Sequence, residues 1–280
     1  MTLNRLQCFL ASKAHVRPMT RLAFVDALLR VVSAAAPQTD WSPHFALKTR
    51  LKRVAGRGDP TRKSGRVMSS EVLFDLGLTI AEEAAANDPL RHAHLLDLRD
   101  GTIIAFLALV PVRRRTLAEL SLGSSLHVTP DRVHLIASAD MMKSGRPWET
   151  DIPALVEPVL RAYLDRARPA LLARRKSALA EDAVWLDQNG HRMSVDYIGM
   201  RVRFRARKHL GVSVSPHLFR DAAATTLARM SPQSAQIIPA VLSHQSISTA
   251  DRHYQHAQSI EAGRDYAALI HERRKNARRS

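Results

Sequence analysis

The stretch Ser215-Pro-His217-Leu-Phe-Arg220-Asp221, followed by Leu242-Ser-His244 and then by Tyr254, decides how this chain is read. Ser215-Pro216 is a helix start: a capping hydroxyl, then a proline at the first helical position, where a missing N–H costs nothing. His217 and Arg220 are three residues apart and share one face of that helix, while Leu218, Phe219 and Leu227 are available to a core. Two imidazoles, a guanidinium and a phenol therefore fall within forty residues. Cations that hold a phosphate and a phenol that attacks it are what metal-free cleavage of a phosphodiester needs. A His-x-x-Arg pair alone is common on protein surfaces, so the reading depends on what surrounds it.

The surroundings are strongly basic. Lys+Arg number 42 against 26 Asp+Glu, a formal net charge of +16 over 280 residues, which attracts polyanions at long range and makes nucleic acid the leading partner class. Only eight of the cations are lysines. Arginine grips phosphate with a planar bidentate fork, although a GC-rich genome produces the same bias. An apolar content of 45% is enough for a packed core and argues against disorder. Aromatics at 5% and no stacking motif argue against an RNA-binding module. The single cysteine, Cys8, excludes an intrachain disulfide or a cysteine-based zinc site and fits a reducing cytoplasm. The apolar stretch Cys8–Ala11 is too short for a signal peptide, and the run Ile103–Val112 is too short to span a bilayer. The expectation is a cytoplasmic, nucleoid-associated protein without membrane contact.

Periodicity predicts helices over Thr20–Ala36, with Leu22, Val25, Leu28, Leu29 and Val32 on one face, and over His44–Val54, which is basic. Gly56–Gly65 is rich in Gly, Pro and basic residues and reads as a linker. Further helices are expected from Ser70, capped by Ser69 or Ser70, to about Ala86, and over Pro89–Leu109. Ser121–Ser125 reads as a turn into a strand, Val133–Ser138 as a strand, Lys143–Pro147 as a turn and Trp148–Ile152 as the return strand. Pro153–Leu172, Val195–Leu210, Pro216–Met230, Ala235–Leu242, Thr249–Ala257 and Ile260–Arg274 read as helices, with a short strand and turn near Val184–His191. The expected architecture is mainly α with a small antiparallel β-sheet. Residues 1–66 form a short helical module and linker, and residues 67–280 a larger domain with a C-terminal helix and basic tail.

Three further segments give the central motif its meaning. Val112-Arg113-Arg114-Arg115-Thr-Leu-Ala-Glu-Leu-Ser-Leu122 places arginines at a helix start ahead of the predicted sheet. Lys143, on the predicted hairpin turn, is the only lysine between Lys63 and Lys176. Leu242-Ser-His244 precedes Tyr254 by ten residues. In this order, the set resembles the catalytic half of the tyrosine recombinase (phage-type integrase) family over roughly residues 105–260. Matching Leu117, Leu120 and Leu122 to the family's apolar positions puts the catalytic arginine at Arg113, with Arg114 or Arg115 the alternatives in a shifted register. Two departures stand out. Ser243 replaces the usual glycine of the Leu-Gly-His box, and the commoner nine-residue spacing to the nucleophile falls on His253 instead of Tyr254. Residues 1–66 resemble the family's helical core-binding domain loosely and are short for it.

The resemblance implies Tyr254 as the nucleophile and Arg113, Lys143, His217, Arg220 and His244 as catalytic partners. It implies DNA contacts for Arg114, Arg115, Lys52 and Arg53, with double-stranded DNA as substrate. It also implies a homo-tetramer on paired sites, in which the helix after Tyr254, with Ile260, Ala267, Leu269 and Ile270 apolar, docks on a neighbour or else packs on its own domain. The implied activity is site-specific recombination or integration through a 3′-phosphotyrosine, without metal or cofactor. Two readings compete with it: a type IB topoisomerase-like enzyme, and a catalytically impaired DNA-binding accessory protein. His253 and His256 share a helix face, but no third zinc ligand has suitable spacing, and phosphate chemistry explains His244 better.

Overall fold

The computed structural model describes residues 1–56, 68–176, 182–242 and 251–277, with main chain alone at 232–233, 251–261 and 277. The predicted linker therefore falls largely outside the described residues. The chain divides into two compact units, Met1–Ser64 and Gly65–Ser280.

The first unit holds α1 (Leu3–Ser12), α2 (Pro18–Ala35) and α3 (Ser42–Ala55). Helix α1 was not expected from the sequence. Thr2 caps it by accepting from Arg5 N, and it buries Leu6 and Leu10, which with Leu3 have the i, i+3, i+7 spacing of one helix face. Its partners in the small core are Val25, Leu29 and Trp41. Asp26 on α2 pairs with Arg30 and with Lys48 on α3, which ties the two helices together at the surface.

In the second unit α4 (Ser70–Ala85) and α5 (His92–Leu109) form the most extensive helix pair. Ser69 caps α4 by accepting from Val72 N. Gly77 and Gly101 let the pair approach closely: a Cβ on either would collide with backbone of the other helix, at Ala105 and Ala81 respectively. Next comes α6 (Arg114–Glu119), then a three-stranded antiparallel sheet, β1 (Leu126–Val128), β2 (Val133–Ala137) and β3 (Trp148–Asp151), in the order β1-β2-β3. The register pairs Leu126 with Leu135 and Leu135 with Thr150, so these three share the buried face, while His127, His134 and Asp151 share the other. The chain is thus mainly helical with one small antiparallel sheet, as its sequence predicts.

Three predicted helical stretches differ from expectation. Pro153–Leu172 is α7 (Glu157–Ala162), a π turn (Tyr163–Ala167) and α8 (Arg168–Leu172). Pro169, which has no N–H to offer Asp165, stands two residues past the end of the π turn. The α9 (Val195–Leu210) and α10 (Pro216–Met230) boundaries agree with the sequence, but the Ser215 hydroxyl makes no capping hydrogen bond. Ala235–Leu242 is not one helix. It falls into α11 (Pro232–Gln236) and α12 (Ile238–Val241), because Pro239 cannot continue the helix through Ile237. The last two predicted helices are a single one, α13 (Asp251–Ala277), since nothing between Ala257 and Ile260 breaks a helix.

A charged cluster lies inside the second unit. Arg99 and Asp100 sit mid-helix on α5, both at most 1% exposed. Asp100 Oδ1 accepts from Arg99, and Oδ2 accepts from Arg201 and Arg205 on α9. Burial opposes charge on Asp100, yet the guanidiniums of Arg99, Arg201 and Arg205 outweigh it and hold the carboxyl below the usual range. The remaining reach of Arg99 goes to the Leu186 carbonyl, so one carboxylate organises α5, α9 and the loop before α9.

Candidate active site

The site is built where α5 ends. Helix α5 is buried almost throughout its second half, from Leu98 to Leu109. Pro111 then forces the chain out of helix and Arg113 takes the N-cap position of α6 in an extended conformation. Thr116, one turn into α6, donates to the Met141 carbonyl at 2.9 Å, which fastens the hairpin loop between β2 and β3 to this helix. Lys143 is on that loop and exposed.

Helix α10 brings the second arginine. Arg220 is 7% exposed, and its Nη1 and Nη2 donate to the carbonyls of Pro111 at 2.6 Å and Leu242 at 2.5 Å. A guanidinium has five N–H groups, so donors remain on Arg220 after these two contacts. Burial, and then the neighbouring charge of Arg113, push the Arg220 pKa down to about 10, against an opposing pull from Asp221. The charge of Arg113 is thus felt at Arg220. Arg113 Nη1 is buried and has no hydrogen-bond partner among the described residues. Two adjacent cations with unspent donors repel each other until an anion enters between them.

The neighbouring arginines behave differently. Arg114 turns to α9, where Nη1 lies 3.3 Å from Asp196 Oδ1 and packs over Gly199. Arg115 pairs with Glu119 one turn on, at 2.6 Å, and is 70% exposed. Of the three arginines, Arg113 is the one whose charge acts on Arg220, while Arg114 and Arg115 have carboxylate partners of their own. His217 is exposed on the first turn of α10. Trp148 on β3 donates to the Ala240 carbonyl at 3.1 Å, which draws α12 and the Leu242 carbonyl toward the sheet. His244 lies outside the described residues. Tyr254 is on the first turn of α13, within the described main chain. Lys52 and Arg53 are exposed on the last turn of α3, in the first unit.

The phage integrase family model matches residues 82–260, a span that contains Arg113, Lys143, His217, Arg220, His244 and Tyr254. The chain belongs to the phage integrase family. These are the tyrosine recombinases, and membership implies DNA as the partner of this one. Among solved structures it is similar to the crystal structure of XerA recombinase, with 19% identity, a TM-score of 0.44, and coverage of 83% of this chain and 76% of that one. No curated protein matches the chain. Among the described residues, no helix of this integrase-family chain is long and apolar enough to cross a membrane.

The sequence reading missed two features around the site. One is the Arg99–Asp100 cluster, whose signal is an adjacent charged pair inside an otherwise apolar helix. The other is the face α13 presents. Ala262 and Tyr266 join the expected Ile270 at four-residue spacing, buried against this same unit, with the expected Leu269 partly buried beside them. The described half of α13 therefore packs on its own domain.

Proposed function

We propose that this integrase-family protein is a site-specific recombinase that cuts and rejoins DNA through a 3′-phosphotyrosine on Tyr254. The observation that carries the reading is the Arg113–Arg220 pair, two neighbouring guanidiniums with unspent donors and no hydrogen-bonded carboxylate between them among the described residues. The scissile phosphate enters between them, and the two non-bridging oxygens take their hydrogen bonds. As Tyr254 Oη attacks phosphorus, negative charge grows on those oxygens and the preorganised guanidiniums stabilise it without reorganising.

A phenol pKa near 10 means that Tyr254 must give up its proton during attack, and His217 is the acceptor. The P–O5′ bond breaks as Lys143 delivers a proton to the leaving oxygen, and His244 donates a further hydrogen bond to the phosphoryl group. The phosphotyrosine keeps the bond energy, and a 5′ hydroxyl from another strand reverses the steps. Arginine charge supplies the electrostatic stabilisation that a metal supplies in other nucleases.

Residues 1–66 serve as a second DNA-binding module, with Lys52 and Arg53 on the backbone phosphates. Arg114 and Arg115 make further phosphate contacts beside the catalytic pair. Four protomers act on two paired sites, in a protein held at the nucleoid by its charge.

A strand-trapping suicide substrate tests the reading, because loss of a short nicked end strands the covalent intermediate. Wild-type protein is expected to form an adduct mapped to Tyr254. Tyr254→Phe, which loses only the phenolic oxygen, is expected to bind DNA nearly as well and to form none. An adduct in the Phe variant places the nucleophile elsewhere. Binding by wild type without any adduct favours the accessory-protein reading.

A further inference from the structure

Tyr266 is the buried polar anchor of α13. Its hydroxyl donates to the Ala108 carbonyl at 2.8 Å, and the residue has no exposed surface. Ala108 is in the last turn of α5, and Val112 N, four residues on, donates to the Val110 carbonyl and not to that of Ala108. Five residues beyond Ala108 is Arg113, and between them Pro111 accepts from Arg220. The turn that carries Arg113 is thus held at two carbonyls, one by α13 and one by α10. Burial pushes the Tyr266 phenol up, so it remains a donor at any working pH.

The same stretch of α13 is keyed against β3. A Cβ on Gly263 would meet the Thr150 hydroxyl at 2.6 Å, and Arg264 pairs with Asp151 at 2.8 Å. Farther along, Arg273 and Arg274 pair with Glu71 and Asp75 on α4. Each of these outer ion pairs joins a largely buried group to one that is half-exposed or exposed, so solvent screens it in part. The Tyr266 hydrogen bond is buried and directional. Because α13 is one continuous helix, its rotation and height at Tyr266 determine those at Tyr254, twelve residues and about 18 Å earlier.

We infer that Tyr266 is a positioning residue: its hydroxyl registers the helix that carries Tyr254 against the turn that carries Arg113. The inference rests on the proposed roles of those two residues. Without the hydroxyl the Ala108 carbonyl is buried and unpaired, and the helix loses the contact that fixes its rotation, so productive alignment becomes a minor population.

The test compares Tyr266→Phe with Ile270→Ala. Ile270 is also buried on α13, and its truncation removes packing but leaves the hydrogen bond. Tyr266→Phe is expected to form adduct about tenfold more slowly in single turnover, with unchanged affinity for DNA. The loss should persist on a substrate with a 5′-bridging sulfur, which departs without a proton, because the defect is in attack and not in departure. Amide exchange should quicken together in residues 110–113 and in residues 251–262. Ile270→Ala should melt lower yet form adduct at the wild-type rate at a temperature where both proteins are folded. A wild-type rate in Tyr266→Phe, rescue by the sulfur substrate, or equal slowing in Ile270→Ala overturns the inference. An adduct in Tyr254→Phe overturns the functional reading instead. The exchange data alone then decide whether Tyr266 couples the two segments, and loosening confined to α13 refutes the coupling.

Discussion

Arg220 donates to the carbonyl of Pro111 at 2.6 Å, two residues before Arg113. One guanidinium thereby helps to set the main chain that presents the other. A second donation, to Leu242, reaches the segment that leads into His244. Arg220 acts as both a member of the cationic pair and the clamp that draws three separate parts of the chain to one point, which explains why so polar a side chain is nearly buried.

Removing either cation should slow strand cleavage steeply. Arg113→Ala and Arg220→Ala are each expected to cut the single-turnover rate by about 10²–10³, the usual cost of one preorganised donor to a developing oxyanion. Arg114→Ala should cost far less, because Arg114 is paired with Asp196 on α9. Rates measured on one suicide substrate check this, and a loss at Arg114 equal to or larger than that at Arg113 contradicts the geometry.

Adduct formation should continue in EDTA. Charge neutralisation at the phosphate comes from guanidinium groups in the proposed mechanism, so chelation removes nothing the reaction uses. Cleavage that stops on chelation and returns with added magnesium or zinc would require a different mechanism.

Asp100→Asn should destabilise the second unit strongly. The substitution leaves the buried Arg99, and Arg201 and Arg205 beside it, without their shared counter-charge. Breaking such a buried set costs about 3–5 kcal/mol, readable in urea melts at neutral pH. The sign of the pH dependence follows from the lowered pKa. The contribution of Asp100 is complete above the unfolded carboxylate value near 3.9 and is lost as pH falls through the depressed folded value. The variant should therefore lose less additional stability than wild type as pH drops below about 4. An acid limb as steep as that of wild type would argue against the charge network.

Gly77→Ala should lower the melting temperature although alanine is the better helix former. The added methyl would meet the backbone of Ala105 on α5, and neither helix can yield locally. Overpacking of this kind costs about 1–3 kcal/mol, more than the gain in helix propensity of about 1 kcal/mol. A melting temperature equal to or above that of wild type would show that α4 and α5 can separate freely.

Much of the fold is legible because its signals are local. Ser69 before an apolar period marks the start of α4, Ser215-Pro216 marks α10, and Gly211, with φ +71°, ends α9 as a left-handed C-cap. The turn residues Lys143–Pro147 lie between β2 and β3. Local signals fail where a boundary depends on what the helix meets. Helix α1 was overlooked although Leu3, Leu6 and Leu10 have helical spacing, and α13 runs on through Gln258 and Ser259, where the apolar pattern pauses but no breaker stands.

The sequence by itself determined the family, because the ordered residues from Arg113 to Tyr254 are a chemical inventory that needs no coordinates to be recognised. Only the tertiary structure gave Arg114 and Arg115 carboxylate partners and left Arg113 with an unpaired buried nitrogen among the described residues. Adjacent residues at a helix start point in directions about 100° apart, and the partners of Arg114 and Arg115, Asp196 and Glu119, come from different elements of the fold. It also decided that Asp100 and Tyr266 are buried. A carboxylate or a phenol is taken out of water only where partners from distant segments converge on it. The guanidiniums of Arg201 and Arg205 are about a hundred residues from Asp100, and the Ala108 carbonyl is 158 residues from Tyr266.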